Sequence, residues 1–236
     1  MSSIASRVQD ILQEIAQAAA TAGRNAGEIT LLAATKTRDA ATVREVIASG
    51  VTTVGENRVQ EMTEKLAQDA YDGAQLHFIG RLQSNKVRQV AGKTVLIHSV
   101  DSLRIAREID RVMASLAAQG AQPPVQDVLA EVNIAGEQSK GGVAPQELDA
   151  FLDELAALAH IRTVGLMCIP PPADTPDDAR RCFARMKSLF DGCVHRFAPD
   201  CRPVLSMGMS GDYVQAVLEG ATLVRVGTAI FGQRQY

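Results

Sequence analysis

A short apolar run followed by a helix-like pattern recurs eight times along this 236-residue chain, and that repetition leaves few folds open. The runs lie at 29–35, 52–55, 76–80, 94–100, 125–134, 162–169, 203–208 and 222–228. Helical patterns follow them, and their ends are marked by ordinary signals. Asp39 stands as a cap before one helix and Gly50 as its left-handed stop. Thr175, Pro176 and Asp178 supply a cap, a first-turn proline and a first-turn acid for another. One extra helix, 3–22, precedes the first strand, with Ile4, Val8, Ile11, Leu12 and Ile15 as its apolar stripe. A short helix is expected at 84–91, and Pro123 and Pro124 mark a loop. Strict β/α alternation makes the strands parallel. Eight units in a chain of this length predict an α/β fold of the closed (β/α)8 TIM type, as one domain over 1–236 with the extra N-terminal helix outside the repeat. The alternative is an open doubly wound sheet. It would carry a GxGxxG turn after an early strand, and the sequence has none.

Composition removes several functions. The formal charge of −3 and an aromatic content of 4% provide neither a basic track nor stacking platforms for nucleic acid. No apolar run reaches the length of a membrane span, and the N-terminal segment reads as an amphipathic helix rather than an export signal. Cys168, Cys182, Cys193 and Cys201 form no CxxC pair and have no histidine at a zinc spacing. Reduced thiols, no metal site and a cytoplasmic protein are expected. His77, His98, His160 and His195 are scattered, and each reads as a packing or surface residue.

Chemistry in such a barrel sits at the C-terminal strand ends. Lys36 ends the first strand. An amine placed there, partly desolvated and near other cations, loses its proton more easily than a surface lysine and can attack a carbonyl. Ser210–Gly211 and Gly227–Thr228 follow strands seven and eight. Small residues and hydroxyls at helix starts suit an anion, and these two loops are the usual phosphate position of the fold. Arg225 shares a face with Leu223 and Gly227 and so points into the barrel, either in a salt bridge to Glu131 or toward a ligand. Singly, each feature also reads as structure: a solvated lysine, two helix caps, an internal ion pair. Jointly they describe a ligand with a carbonyl, a phosphate and an acceptor between them, which pyridoxal 5′-phosphate satisfies.

The stretches LLAATKT (31–37), GENRVQE (55–61), LHFIGRLQSNK (76–86), VNIAGEQSKGG (132–142), VGLMCIP (164–170), LSMGMSGD (205–212) and VRVGTAIFG (224–232) carry a resemblance over the whole chain. The sequence resembles the pyridoxal phosphate homeostasis proteins, whose barrel is similar to the N-terminal domain of alanine racemase. The resemblance implies Lys36 as the Schiff-base lysine of an internal aldimine. It also implies Ser210, Gly227 and Thr228 at the phosphate, Arg225 at the ring nitrogen and Asn57 beside the ring. Arg81 stands where relatives often carry another residue, a tolerated variation near the mouth.

Arg225 bears on activity. A guanidinium keeps its proton, so the ring nitrogen stays unprotonated and the ring is a poorer electron sink. Transamination is disfavoured, and racemisation needs a second base. Of Tyr71, Tyr213 and Tyr236, none is placed convincingly for that task. The expected function is a monomeric carrier that buffers pyridoxal phosphate and delivers it to apo enzymes that need it. A racemase of the same fold, or a cofactor-free aldolase using Lys36, are the alternatives. Ser84, Lys86 and Lys140, in the third and fifth loops, either guide cofactor or client or are solvated loop residues.

Overall fold

In the computed structural model, which describes residues 3–120, 125–137 and 141–232, eight parallel strands close into a barrel in the order of the sequence. They are β1 (Thr30–Ala34), β2 (Thr53–Glu56), β3 (Gln75–Phe78), β4 (Leu96–Val100), β5 (Gln126–Glu131), β6 (Ile161–Met167), β7 (Val204–Met209) and β8 (Leu223–Val226). Closure is made by β8 against β1, with Leu32 opposite Arg225. The predicted fold class is correct, and the expected turn at Pro123 and Pro124 lies outside the described residues.

Helices α2 (Ala40–Ala48), α3 (Val59–Leu66), α4 (Leu103–Ala117), α5 (Leu148–Ala156), α6 (Pro176–Cys193), α7 (Tyr213–Leu218) and α8 (Thr228–Phe231) surround the barrel, and α1 (Ile4–Thr21) precedes it. Capping works as the sequence predicts: Asp39 accepts from the Thr42 amide at 2.8 Å and Thr175 from the Asp178 amide at 3.2 Å. Between β3 and β4 the expected helix is a 3-10 helix, Ser84–Gln89. In α1 the buried stripe is Ile4, Val8, Ile11, Ile15, Ala18 and Ala19. Leu12 is not part of it. It is 39% exposed, because position 12 falls one step round the helix from the face set by Val8, Ile11 and Ile15. The α1 stripe packs against α7 and α8, and Arg7 and Glu14 bond to the Ile230 carbonyl and the Tyr213 hydroxyl.

Alternation along each strand sends one set of side chains outward under the helices and the other into the barrel. Leu32, Ala34, Ile79 and Leu223 form one buried apolar set, and Leu96, Leu129, Val164 and Met167 another. Gly55 keeps space for the first set, since a Cβ on it would lie 2.6 Å from Leu32 Cδ2. No helix among the described residues is long and apolar enough to cross a membrane.

Candidate functional site

The C-terminal strand ends carry a cavity of about 270 Å³ lined by Ala34, Lys36, Asn57, Ile79, Ile169, Met209, Ser210, Gly211, Arg225, Gly227 and Thr228. All six residues named from the sequence, Lys36, Asn57, Ser210, Arg225, Gly227 and Thr228, therefore meet in one place. They arrive from four strand ends, β1, β2, β7 and β8, and β8 is the neighbour of both β1 and β7.

Each is held there by local structure. Lys36 is half-buried and continues the inward face of β1 set by Leu32 and Ala34. Next to it, Thr37 adopts a φ of 63°, a left-handed conformation that a β-branched residue seldom takes. The Glu61 carboxylate on α3 accepts the Thr37 amide at 2.7 Å and fixes that turn. Beneath the other side of Lys36, the Thr35 carbonyl accepts from Lys65 at 2.9 Å and the Thr35 hydroxyl donates to Glu56 at 2.6 Å. Opposite, the Ser210 hydroxyl oxygen accepts from the amides of Gly227 at 3.0 Å and Ala229 at 3.3 Å, locking the loop after β7 to the start of α8. Gly208 permits that approach: its φ is 90°, and a Cβ there would lie 2.5 Å from the Ala216 Cβ.

Arg225 is 5% exposed. Its hydrogen bonds run to the Ser206 hydroxyl at 2.6 Å and the Cys168 carbonyl at 3.0 Å. The salt bridge to Glu131, one of the two sequence readings, is not formed; the guanidinium is taken up by β6 and β7 instead. Glu131 faces an adjoining cavity of about 240 Å³ with Asn57, Ile79, Gly80, Ser99, Gly141 and Ile169. Burial, with the nearby Asp101 carboxylate adding to it, pushes the Glu131 carboxyl up to about 7.

Asn57 brings a buried acceptor to the cavity. Its Oδ1 is buried and has no hydrogen-bond donor among the described residues, although it lines the same cavity as Lys36. The backbone of Asn57 is set by close packing against Gly80, where a Cβ would overlap the Asn57 carbonyl. Gly80→Ala should therefore displace the Asn57 turn and cost about 1–3 kcal/mol of stability, measured by urea denaturation. A variant as stable as the parent would show that the turn yields freely.

Other sequence candidates lie elsewhere. Ser84 lines a separate groove with Arg81, Asp101 and Arg104, and Lys86 is half-buried within the 3-10 helix and lines none of these cavities. Lys140 lies outside the described residues. The Tyr71 hydroxyl donates to Glu56 at 3.1 Å, and Tyr213 bonds to Glu14, so both are away from the cavity; Tyr236 is outside the described residues. Among the described residues no group of histidine, cysteine and acidic side chains is set to hold a metal.

Sequence reasoning did not find the polar line beneath Arg225. His98 Nδ1 lies 3.0 Å from the Ser206 hydroxyl oxygen, and His98 Nε2 lies 3.0 Å from His77 Nδ1. Burial lowers the His77 imidazole to about 4 and holds His98 well below the ordinary 6.5, the latter helped by His77 and Arg225. Both rings are thus neutral in the fold. As pH falls, the unfolded chain takes up these protons first, so stability is complete above about 6.5 and declines toward 4. His77 alone accounts for about 3 kcal/mol across that window. Urea midpoints of wild type and His77→Gln at pH 7 and pH 4.5 check this. Equal acid losses in both would refute it.

In its chemistry the site joins an amine, a guanidinium, two hydroxyls and the backbone at a helix start around one small cavity. That set fits a phosphorylated carbonyl compound.

Comparison with known proteins points the same way. The family "Alanine racemase, N-terminal domain" matches residues 10–235. A protein of Aquifex aeolicus named pyridoxal phosphate homeostasis protein is 41% identical over 230 residues, covering 98% of each chain. One of the same name from Pseudomonas aeruginosa is 41% identical over 236 residues, covering 100% of this chain and 98% of that one. Among solved structures, PipY of Synechococcus elongatus with PLP bound superimposes with a TM-score of 0.80 at 34% identity, covering 97% of this chain and 100% of that one.

Proposed function

The chain belongs to the family of pyridoxal phosphate homeostasis proteins, and from that premise we propose that it holds pyridoxal 5′-phosphate as an internal aldimine on Lys36 and serves intracellular cofactor supply. It buffers and delivers the cofactor, as a monomeric barrel, to apo enzymes that need it, and turns over no amino acid. One observation carries this reading: Lys36, Arg225 and the Ser210–Gly227–Thr228 cradle face a single cavity.

The residues divide the work. When bound, the cofactor supplies an aldehyde for Lys36 and a dianion for the cradle. Ser210 and Thr228 offer hydroxyls, and Gly227 allows the backbone to approach closely. Arg225 donates toward the ring nitrogen without giving up its proton, which keeps the ring a weak electron sink. Asn57 Oδ1, which has no donor among the described residues, would stand beside the ring as an acceptor. Among the described residues no tyrosine lines the cavity.

Glu131 favours the racemase alternative, since burial pushes its carboxyl up to about 7 in the adjoining cavity. Incubation of the loaded protein with amino acids in deuterated water separates the two readings. A carrier exchanges no α-proton, stays yellow, and gives up its cofactor to an added apo enzyme. Exchange or racemisation of any amino acid overturns the carrier, and a colourless protein that cleaves a sugar phosphate returns the aldolase.

A further inference from the structure

Two histidines lie in the barrel interior outside the Lys36 cavity. His77 on β3 and His98 on β4 are 5% and 0% exposed. With Ser206 on β7 and Arg225 on β8 they make a continuous line across the barrel, and its links are 2.6, 3.0 and 3.0 Å long. The two apolar interior sets contain none of the four. At the far end, His77 lines a cavity of about 760 Å³ at the N-terminal mouth with Thr53, Gln75 and Leu96. The line thus runs from one mouth of the barrel to the other.

We infer that Ser206, His98 and His77 are positioning residues for Arg225. They form a one-way hydrogen-bond chain, guanidinium to hydroxyl to imidazole to imidazole, that fixes both rings as Nε2–H tautomers and sets the aim of the guanidinium at the Lys36 cavity. The direction follows from counting protons. Arg225 can only donate, so the Ser206 oxygen accepts from it. Ser206 is completely buried, and His98 Nδ1 is the acceptor available to its hydroxyl proton among the described residues. If His98 Nδ1 carried a proton instead, that hydroxyl proton would be buried with no acceptor. With Nδ1 accepting, the His98 proton sits on Nε2 and is donated to His77 Nδ1. The His77 proton then sits on its own Nε2. A cationic His98 would strand the Ser206 hydroxyl proton in the same way and would also place a second buried charge beside Arg225, which burial and the guanidinium both oppose.

The consequence lies at Arg225. Two of its N–H bonds are committed, to Ser206 and to the Cys168 carbonyl, and these fix the plane of the guanidinium. A guanidinium held this way presents its remaining donors to the cavity without first losing rotamer freedom.

Long-range ¹H–¹⁵N NMR of ¹⁵N-histidine protein without cofactor, at pH 7, reads the chain directly. Both rings are expected as neutral Nε2–H tautomers, with His98 Nδ1 accepting. An Nδ1–H form or a doubly protonated His98 overturns the inference. The binding arm alone rests on the proposed contact of Arg225 with the cofactor. There, Ser206→Ala should raise the Kd for pyridoxal phosphate about tenfold, and Ser206→Thr, which keeps the hydroxyl, should stay within about twofold of wild type. Unchanged affinity in Ser206→Ala, whatever its stability, overturns the positioning role. Should that variant fail to fold, His98→Asn keeps an acceptor for the Ser206 hydroxyl and should bind more tightly than His98→Leu; equal affinities overturn it. If Arg225→Leu binds as wild type does, the ring contact fails, and the NMR arm still decides the chain.

Discussion

A Lys36→Ala protein should be colourless after exposure to pyridoxal phosphate and should carry no borohydride-fixed cofactor by mass spectrometry. The expectation rests on there being no substitute amine among the described residues. Of these, Lys36 is the sole lysine lining the cavity. The next lysine in sequence, Lys65, is 5% exposed, and its ammonium is spent on the Glu56 carboxylate at 2.6 Å and the Thr35 carbonyl at 2.9 Å. Lys93 lines a different cavity, with Val125 and Asp127. The phosphate cradle and Arg225 survive the substitution, so a weakened non-covalent complex should remain. A loss of affinity of at least about a hundredfold, ~3 kcal/mol, is expected in equilibrium dialysis. Lys36→Arg separates charge from nucleophilicity, because it keeps the cation and cannot form the imine. It should resemble Lys36→Ala in colour and exceed it in residual binding. A reducible adduct persisting in Lys36→Ala would move the covalent link to another residue and remove the basis for reading the cavity as its seat.

How much of this could be seen in the sequence depends on how far apart in the chain the interacting groups lie. Lys36, Ser210, Gly227 and Thr228 could be named because each is the last word of a strand. The barrel brings strand ends together whatever the registers of the strands between them. Arg225 could be aimed inward because alternation along one strand is a local property. Its partner could not be read: Glu131 was as eligible as Ser206, and only the pairing of β7 with β8, which sets Ser206 opposite Leu223 one inward position below Arg225, decides between them. The histidine pair was hidden for the same reason. His77 and His98 both hold inward positions on neighbouring strands, and an explicit inward count along β3 and β4 would have flagged two imidazoles in an apolar interior. Leu12 shows the limit of helical periodicity, since an apolar residue one step off the stripe reads as core and is exposed. The cluster of Glu56, Lys65, Thr35 and Tyr71 was missed outright. Its members come from a strand end, a helix, another strand end and a loop, and no spacing links them.

That cluster makes the second large effect. Glu56 is completely buried, and its Oε1 accepts from Lys65 at 2.6 Å, the Thr35 hydroxyl at 2.6 Å and Tyr71 at 3.1 Å. Burial and the Glu56 carboxylate both push the Tyr71 hydroxyl up, so it remains a donor at any working pH. Lys65→Met fills a similar volume but leaves the carboxylate without its counter-charge. A loss of about 3–5 kcal/mol is expected by chemical denaturation, the usual result of removing one partner of a buried pair. Lys65→Met with Glu56→Leu should recover only part of that. The charge is gone, yet Tyr71 lacks its acceptor, and Thr35 keeps only the Arg38 amide on its carbonyl at 3.1 Å and the Gly55 carbonyl for its hydroxyl at 3.2 Å. The site should register the change too, because Thr35 directly precedes Lys36 and loses one of two donors to its carbonyl and the nearer of two acceptors of its hydroxyl. In the double variant, studied where it is folded, pyridoxal phosphate should load more weakly than in wild type, since a β1 tip that wanders must be ordered again when the lysine reacts. If Lys65→Met costs under about 1 kcal/mol, the pair makes no net contribution and the strand tip is held by β1 pairing and the Glu61 contact to Thr37. If the double variant loads like wild type, the buried pair supports the fold and has no part in presenting Lys36.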